Sequence, residues 1–141
     1  MVLFGSTEWF KLFINEVNKN EEYAKVASRY EGTITIVAEI EGLPRPICLW
    51  CDPHHGKIRD WELIHDPAEK GSVFTLTANY DIWKAICLGE QDIIKGIMGG
   101  KIKVKGNMMQ LLKQTKPAIA LVNVMQQLPT RFPDEVFKKE A

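Results

Sequence analysis

The chain has 141 residues, of which 45% are hydrophobic, and its 18 basic side chains balance 18 acidic ones. This length and composition suit one globular domain over residues 1–141, with enough apolar material for a core. A net charge of zero argues against a nucleic-acid-binding protein, which usually carries a basic excess. We therefore expect no nucleic-acid partner.

The two ends of the sequence carry no recognisable targeting signal. Residues 1–10 lack the basic region of a signal peptide, and no apolar run reaches the roughly 18 residues of a membrane span. The three cysteines, an odd number, favour free thiols in a reducing compartment. Residues 137–141, "FKKEA", match no peroxisomal or retention address. These features together predict a cytoplasmic protein.

Two helices are predicted at the start of the chain. Ser6 is a candidate N-cap, and Trp9, Phe13 and Val17 recur at helical spacing behind it. Asn20, followed by two glutamates, predicts a second, short helix that continues to Ala27.

Five strands are predicted after these helices. The segment 33–42, "TITIVAEIEG", alternates apolar and polar residues, as a half-buried strand does. The other four lie at 47–51, 57–65, 72–79 and 101–106. The turn-like residues 52–56, "DPHHG", predict that the first three strands form an antiparallel meander.

Short helices are predicted between the fourth and fifth strands and after the fifth. Asn107 followed by Gln110 resembles a capping box, and Pro117 suits the first position of a final helix that Pro129 ends. In this helix, "PAIALVNVMQQL", Ile119 and Val124 widen the apolar stripe beyond one face. Such a helix must be covered on more than one side, either by packing or by an apolar ligand.

The stretch 48–56, "CLWCDPHHG", holds four residues of types that bind zinc. Neighbouring side chains of a strand point to opposite faces, so Cys48 and Cys51 should diverge rather than share an ion. A second knuckle of ligands is missing, since the remaining cysteine, Cys87, has no histidine beside it. A redox role also fails, because the motif leads into a turn rather than a helix. We expect no metal here.

Catalytic motifs were not found in the sequence. It contains neither a G-x-S-x-G elbow nor a phosphate-binding glycine loop. Asp60 and Glu62 alternate along a predicted strand, which is typical of an exposed polar row. No catalytic residue, no cofactor and no enzyme activity are expected.

The stretch 99–113, "GGKIKVKGNMMQLLK", resembles the signature of the sterol carrier protein 2 family, with a lysine-alternating strand, K-G-N and a helix rich in Met and Leu. The preceding residues 79–98 are similar to the paired short helices of that family, and "MQQLPTRF" is similar to its C-terminal helix and tail. The resemblance covers residues 6–132.

This resemblance implies an α+β fold in which a five-stranded sheet, covered on one face by helices, encloses an apolar tunnel. It also implies non-enzymatic binding and transfer of fatty acid, fatty acyl-CoA, sterol or phospholipid. Together with the apolar final helix and the methionines of the C-terminal third, it predicts these lipid-binding residues: Phe74, Leu76, Trp83, Ile86, Ile97, Met98, Met108, Leu112, Leu121, Val124 and Met125.

Three lysines of the fifth strand, Lys101, Lys103 and Lys105, admit two interpretations. Charged residues on a sheet edge discourage aggregation, or they contact anionic head groups during a transient encounter with a membrane. We predict the second role for them.

Two other functions compete with lipid transfer. The same cavity would suit a ligand-sensing or interaction domain of a lipid-metabolism complex, and an acyl-thioester enzyme is a third choice. The sequence leaves open whether the chain forms a homodimer.

Overall fold

The computed structural model describes residues 1–134; the C-terminal "FKKEA", for which no targeting address was expected, lies outside them. Two sheets are present in the described part. The strands are β1 (Val2–Leu3), β2 (Ile34–Glu39), β3 (Ile47–His54), β4 (Lys57–Ile64), β5 (Phe74–Asn79), β6 (Lys103–Lys105) and β7 (Thr130–Arg131). β1 and β7 pair in parallel, and the others form a five-stranded sheet in the order β4-β3-β2-β5-β6.

The topology confirms the predicted meander. β2 pairs antiparallel with β3, and β3 pairs antiparallel with β4. The chain then crosses over, so that β5 runs parallel to β2 and β6 returns antiparallel to β5. This mixed sheet therefore joins the N-terminal meander to the C-terminal lysine-rich strand.

The second strand of the meander is longer than predicted. Residues 52–54, expected in a turn, continue β3 to His54, with a register shift between Cys51 and Pro53. Pro53 has no backbone N–H to donate to a neighbouring strand. It is tolerated because the pairing of β3 with β2 already ends at Cys51, opposite Ile34.

The described chain also contains a short 3₁₀ helix (Pro67–Glu69) and these α-helices: α1 (Thr7–Lys19), α2 (Glu21–Val26), α3 (Tyr80–Cys87), α4 (Ile93–Met98), α5 (Met108–Leu112) and α6 (Thr115–Gln127). The three predicted caps are confirmed. The Ser6 side chain accepts from the Trp9 N–H, and Asn20 and Asn107 cap α2 and α5 in the same way. Each cap satisfies a backbone donor that the first helical turn leaves free.

The final helix begins earlier than predicted. α6 starts at Thr115, which places Pro117 inside its first turn rather than at its first position. Proline fits there because first-turn N–H groups have no acceptor within the helix. α6 packs against α1, α2, α3 and α4, so the prediction that it is covered on more than one side is confirmed.

Gly106 explains one feature of the 99–113 motif. It joins β6 to α5 with a backbone φ of +131°, which residues that carry a side chain rarely adopt. A Cβ atom added there would lie 2.5 Å from the Val73 carbonyl oxygen. Glycine therefore allows the strand and the capped helix to follow each other directly against β5.

The two ends of the described chain meet beside α1 and α3. The Trp9 indole donates to the Thr130 hydroxyl at 2.9 Å. Asp134 accepts hydrogen bonds from Tyr80 at 2.5 Å and from Lys84 at 2.6 Å. Among the helices of residues 1–134, none has the length and apolar character needed to cross a membrane.

Candidate functional site: an uncharged apolar cavity

A cavity lies between the helices and the sheet face that carries Leu49 and Leu76, which we call the inner face. The space open to the centres of water-sized molecules is about 110 Å³. Its walls come from the N-terminal helix, the central strands and the helices of the C-terminal half.

The sheet supplies one wall through the alternation that was visible in the sequence. Ile34, Ile36 and Ala38 of β2 border the cavity. Because side chains directly opposite each other share a face, Leu49 and Leu76, both paired with Ile36, extend this wall into β3 and β5. Thr35 of β2 and its partner Thr75 of β5, which alternate with these residues, lie on the opposite face of the sheet.

The helices supply the other walls with large apolar groups. α1 contributes Trp9, Phe10 and Phe13, and α3 contributes Trp83. The Trp83 indole N–H donates to the Val37 carbonyl at 2.9 Å, as the Trp9 indole does to Thr130. Both tryptophans therefore have their polar atom satisfied elsewhere and offer the cavity only aromatic surface.

Within the described residues, no charged side chain lines the cavity. Its polar side chains are Tyr23, Tyr30, Cys51 and Gln114. Burial raises the pKa of Tyr30 to about 12 and that of Cys51 to about 12, and burial also raises the pKa of Tyr23. These groups are therefore neutral at physiological pH.

One cavity residue, Tyr30, has a buried polar atom without a hydrogen-bond partner. The Tyr30 hydroxyl is buried and finds no hydrogen-bond partner among the described residues. An unpaired buried hydroxyl costs about 1–3 kcal/mol. This hydroxyl lies beside Gly32, which does not border the cavity.

The predicted lipid-binding residues divide into three groups. Six border the cavity: Leu76, Trp83, Ile97, Leu112, Leu121 and Met125. Phe74 and Ile86 are buried in the core without bordering it, and Val124 borders a separate cleft between α1 and α6. Met98 and Met108 are 72% and 39% exposed and lie outside the cavity. For the six residues that border the cavity, contact with a lipid stays a prediction.

The set predicted from the sequence omitted the N-terminal part of the wall. Phe4, Phe10, Tyr23, Tyr30 and Ile58 all border the cavity. The family-like motif lies within residues 80–113 and indicates only the C-terminal part of the wall. The apolar stripe of α1 and the alternation of β2 also predict buried apolar faces, and these faces form the N-terminal part of the wall.

The predicted head-group lysines lie outside the cavity. Lys101, Lys103 and Lys105 are exposed, and none of them borders the cavity. The Lys101 amine donates to the Gln91 side-chain oxygen at 3.1 Å. Their predicted membrane contact is thus spatially separate from the apolar wall.

The C-x-x-C motif is split by the sheet. Cys51 borders the cavity, whereas Cys48 packs with Val37 and Ile64 in a small apolar cluster on the opposite face. The expected divergence of the two cysteines is confirmed. His54 and His55 instead lie beside Glu31.

One protein-family model matches most of this chain. A family model described as the SCP-2 sterol transfer family matches residues 10–117. Among curated protein sequences, none matches this chain.

Solved structures share the fold at low sequence identity. A crystal structure of sterol carrier protein 2 has a TM-score of 0.80 and 22% identity, over 89% of this chain and 98% of the other. A conserved hypothetical protein from Thermus thermophilus, described as possibly a sterol carrier protein, has a TM-score of 0.80 and 21% identity, over 91% of each chain. A protein described as UbiJ-SCP2, a ubiquinone synthesis protein, has a TM-score of 0.50 and 16% identity, over 84% of this chain and 88% of the other.

Proposed function

Because this chain belongs to the SCP-2 sterol transfer family, we propose that it binds single lipid molecules and transfers them between membranes without chemical change. The apolar part of the lipid occupies the cavity between sheet and helices, in the manner of a tunnel. A charged head group, such as a carboxylate or the phosphates of acyl-CoA, stays outside in water.

The observation that carries this proposal is the absence of charge from the cavity wall within the described residues. An ionised group moved into an apolar interior without a partner loses far more hydration energy than any contact there returns. The wall therefore selects for acyl chains, sterol rings and other uncharged groups, and orients a charged lipid with its head outwards.

The size of the apolar gain supports lipids with long chains. Each buried methylene contributes about 0.8 kcal/mol, so a twelve-carbon chain gains roughly 10 kcal/mol before losses. Ordering the chain and losing its free motion offset much of this. Micromolar affinity for long chains, and failure of short ones, is the expected result.

The acyl-thioester enzyme has no support in the cavity wall. Such an enzyme needs a base or an activated nucleophile beside the scissile bond. The polar side chains of the wall are Tyr23, Tyr30, Cys51 and Gln114, and burial holds the Cys51 thiol in its protonated, unreactive form by raising its pKa to about 12.

A second candidate is a domain that senses or presents a lipid within a complex of lipid-metabolism proteins. The shared fold of the UbiJ-SCP2 ubiquinone synthesis protein favours it. Both candidates bind lipid in the same cavity, and they differ in whether the bound lipid is released to an acceptor membrane.

Native mass spectrometry of freshly purified protein, followed by competition titration with saturated fatty acids of eight to sixteen carbons, tests the binding. We expect bound lipid of one-to-one stoichiometry and an affinity that rises with chain length. A diacid of equal length is the matched probe, since one of its carboxylates would have to enter the uncharged cavity, and it should bind at least about tenfold more weakly.

Transfer is then measured between donor and acceptor vesicles with a fluorescent lipid. Binding with transfer supports the carrier, and binding without transfer supports the sensing domain. Affinity that does not depend on chain length would contradict both.

A further inference from the structure

Three side chains with metal-binding atoms meet at the tip of the β3–β4 hairpin. The His55 Nε2 atom lies 2.5 Å from a carboxylate oxygen of Glu31. The His54 and His55 rings stack with their centroids 4.0 Å apart. One ligand atom from each of Glu31, His54 and His55 lies within 4.8 Å of the other two. None of these three residues borders the cavity.

The backbone fixes this cluster. Glu31 and His54 form an antiparallel bridge, and the His55 N–H donates to the Tyr30 carbonyl at 2.8 Å. At the turn, Gly56 packs so closely on α2 that a Cβ atom there would lie 2.7 Å from the Ala24 carbonyl oxygen. The hairpin tip and the segment after α2 are therefore held together before any ion arrives.

The spacing suits a divalent transition-metal ion after small side-chain movements. A tetrahedral zinc ion bound at about 2.0–2.1 Å holds its ligand atoms about 3.3 Å apart. To reach that spacing, the Glu31 oxygen and the His55 Nε2 atom must move apart from 2.5 Å, and the stacked His54 ring must turn towards them. The His55 and Glu31 side chains are 52% and 61% exposed, so they are free to move. Two imidazoles and one carboxylate, with water as the fourth ligand, form a recognised zinc donor set, and imidazole also suits copper.

We propose that Glu31, His54 and His55 bind one exchangeable transition-metal ion of the Zn²⁺ or Cu²⁺ class. This site differs from the four-donor site considered for the C-x-x-C motif, because neither Cys48 nor Cys51 takes part. The bound ion links the β3–β4 hairpin to the segment between α2 and β2. Tyr30, which borders the cavity, directly precedes Glu31, so the ion stiffens that part of the wall.

The test is calorimetric titration of untagged, metal-free protein with Zn²⁺ and, separately, Cu²⁺. We expect one ion per chain with micromolar affinity, a rise in melting temperature, and no binding of Mg²⁺, which prefers oxygen ligands. The Cu²⁺ complex should show hyperfine coupling to two nitrogen ligands in its electron paramagnetic resonance spectrum.

Single substitutions separate this site from adventitious binding. His54→Gln, His55→Gln and Glu31→Gln should each weaken Zn²⁺ binding at least about tenfold, with unchanged circular dichroism. His65→Gln is the matched control, since His65 is exposed in the loop after β4, and it should bind Zn²⁺ as the parent does. The proposal is wrong if no ion binds below about 100 µM, if His65→Gln loses binding equally, or if Glu31→Gln has no effect.

Discussion

Leu76 lies directly opposite Val104 in the antiparallel pairing of β5 with β6. Leu76 borders the cavity, and side chains opposite each other share a sheet face. Val104 therefore belongs to the inner face, while Lys103 and Lys105, its neighbours along β6, project from the outer one. The register thus separates the apolar wall from Lys103 and Lys105 by the thickness of the sheet. Lys101, which precedes β6, is exposed and does not border the cavity.

This separation predicts that the three lysines act in membrane encounter and not in ligand affinity. Replacing Lys101, Lys103 and Lys105 together by Gln should slow transfer to anionic vesicles at least about threefold, since each charge near an anionic leaflet contributes about 1 kcal/mol. Binding of a soluble fluorescent fatty acid should stay unchanged.

The control is a triple Gln variant of Lys11, Lys19 and Lys25, which are exposed on α1 and α2. It removes the same charge from another surface and should transfer lipid at the parental rate. A collapse of soluble-ligand affinity in the β6 variant would show that these lysines hold a head group.

The three cysteines should be inert in the folded protein. Burial raises the pKa of Cys48 to about 11, of Cys51 to about 12 and of Cys87 to about 12. Because the thiolate is the reactive form, we expect almost no reaction with a thiol reagent at pH 8, and three thiols per chain after denaturation. Rapid native labelling of Cys51 would mean that the cavity admits both water and the reagent.

The contact of Asp134 with Tyr80 and Lys84 predicts a dependence of stability on pH. The hydrogen bond from Lys84, followed by that from Tyr80, lowers the pKa of Asp134 in the folded chain. A lowered folded pKa stabilises the protein above the ordinary carboxyl value near 4, and this contribution is lost as the pH falls through the folded value.

Asp134→Asn should therefore lower the free energy of unfolding at pH 7 by about 1 kcal/mol, a figure reduced for the partial exposure of the pair. Urea unfolding at several pH values measures it. The difference between parent and variant should shrink below pH 4, and a difference that stays constant down to pH 2 would contradict the assignment.

Local chemistry made much of the fold predictable. Ser6, Asn20 and Asn107 were recognisable caps because each polar side chain precedes an apolar stripe of helical period. The alternation of Ile34, Ile36 and Ala38 identified both β2 and its inner face. Strand ends were less predictable, because the extension of β3 to His54 depends on its pairing with β4 beyond the register shift between Cys51 and Pro53.

Long-range contacts limited the prediction of the site. Cys48, Cys51, His54 and His55 resemble one donor set because they are close along the chain. The sheet divides them, and Glu31 joins the histidines through strand pairing that no local pattern reveals. Tyr23 of α2 and Tyr30, which follows α2, were missed as cavity residues for the same reason. Contacts with distant segments hold this region in place, such as the hydrogen bond from the His55 N–H to the Tyr30 carbonyl.

The adjacent residues Val124 and Met125 provide the sharpest test of the cavity. Met125 borders it, whereas Val124 is buried on another side of α6, next to the cleft formed with α1. A larger side chain at position 125 can extend into the cavity with little strain, while one at position 124, which is 3% exposed, must displace the neighbours that bury it or enter the separate cleft. Overpacking of a core typically costs about 1–3 kcal/mol.

Met125→Trp should therefore weaken binding of a long-chain fatty acid about tenfold, or about 1.4 kcal/mol, with a melting temperature within a few degrees of the parent. Val124→Phe should lower the melting temperature and leave the affinity of the folded fraction unchanged. Fluorescence titration and thermal unfolding of both variants measure this pair of effects. If Val124→Phe blocked the ligand while Met125→Trp bound it normally, the lipid would lie on the α1 side of α6 and the cavity would be ordinary core.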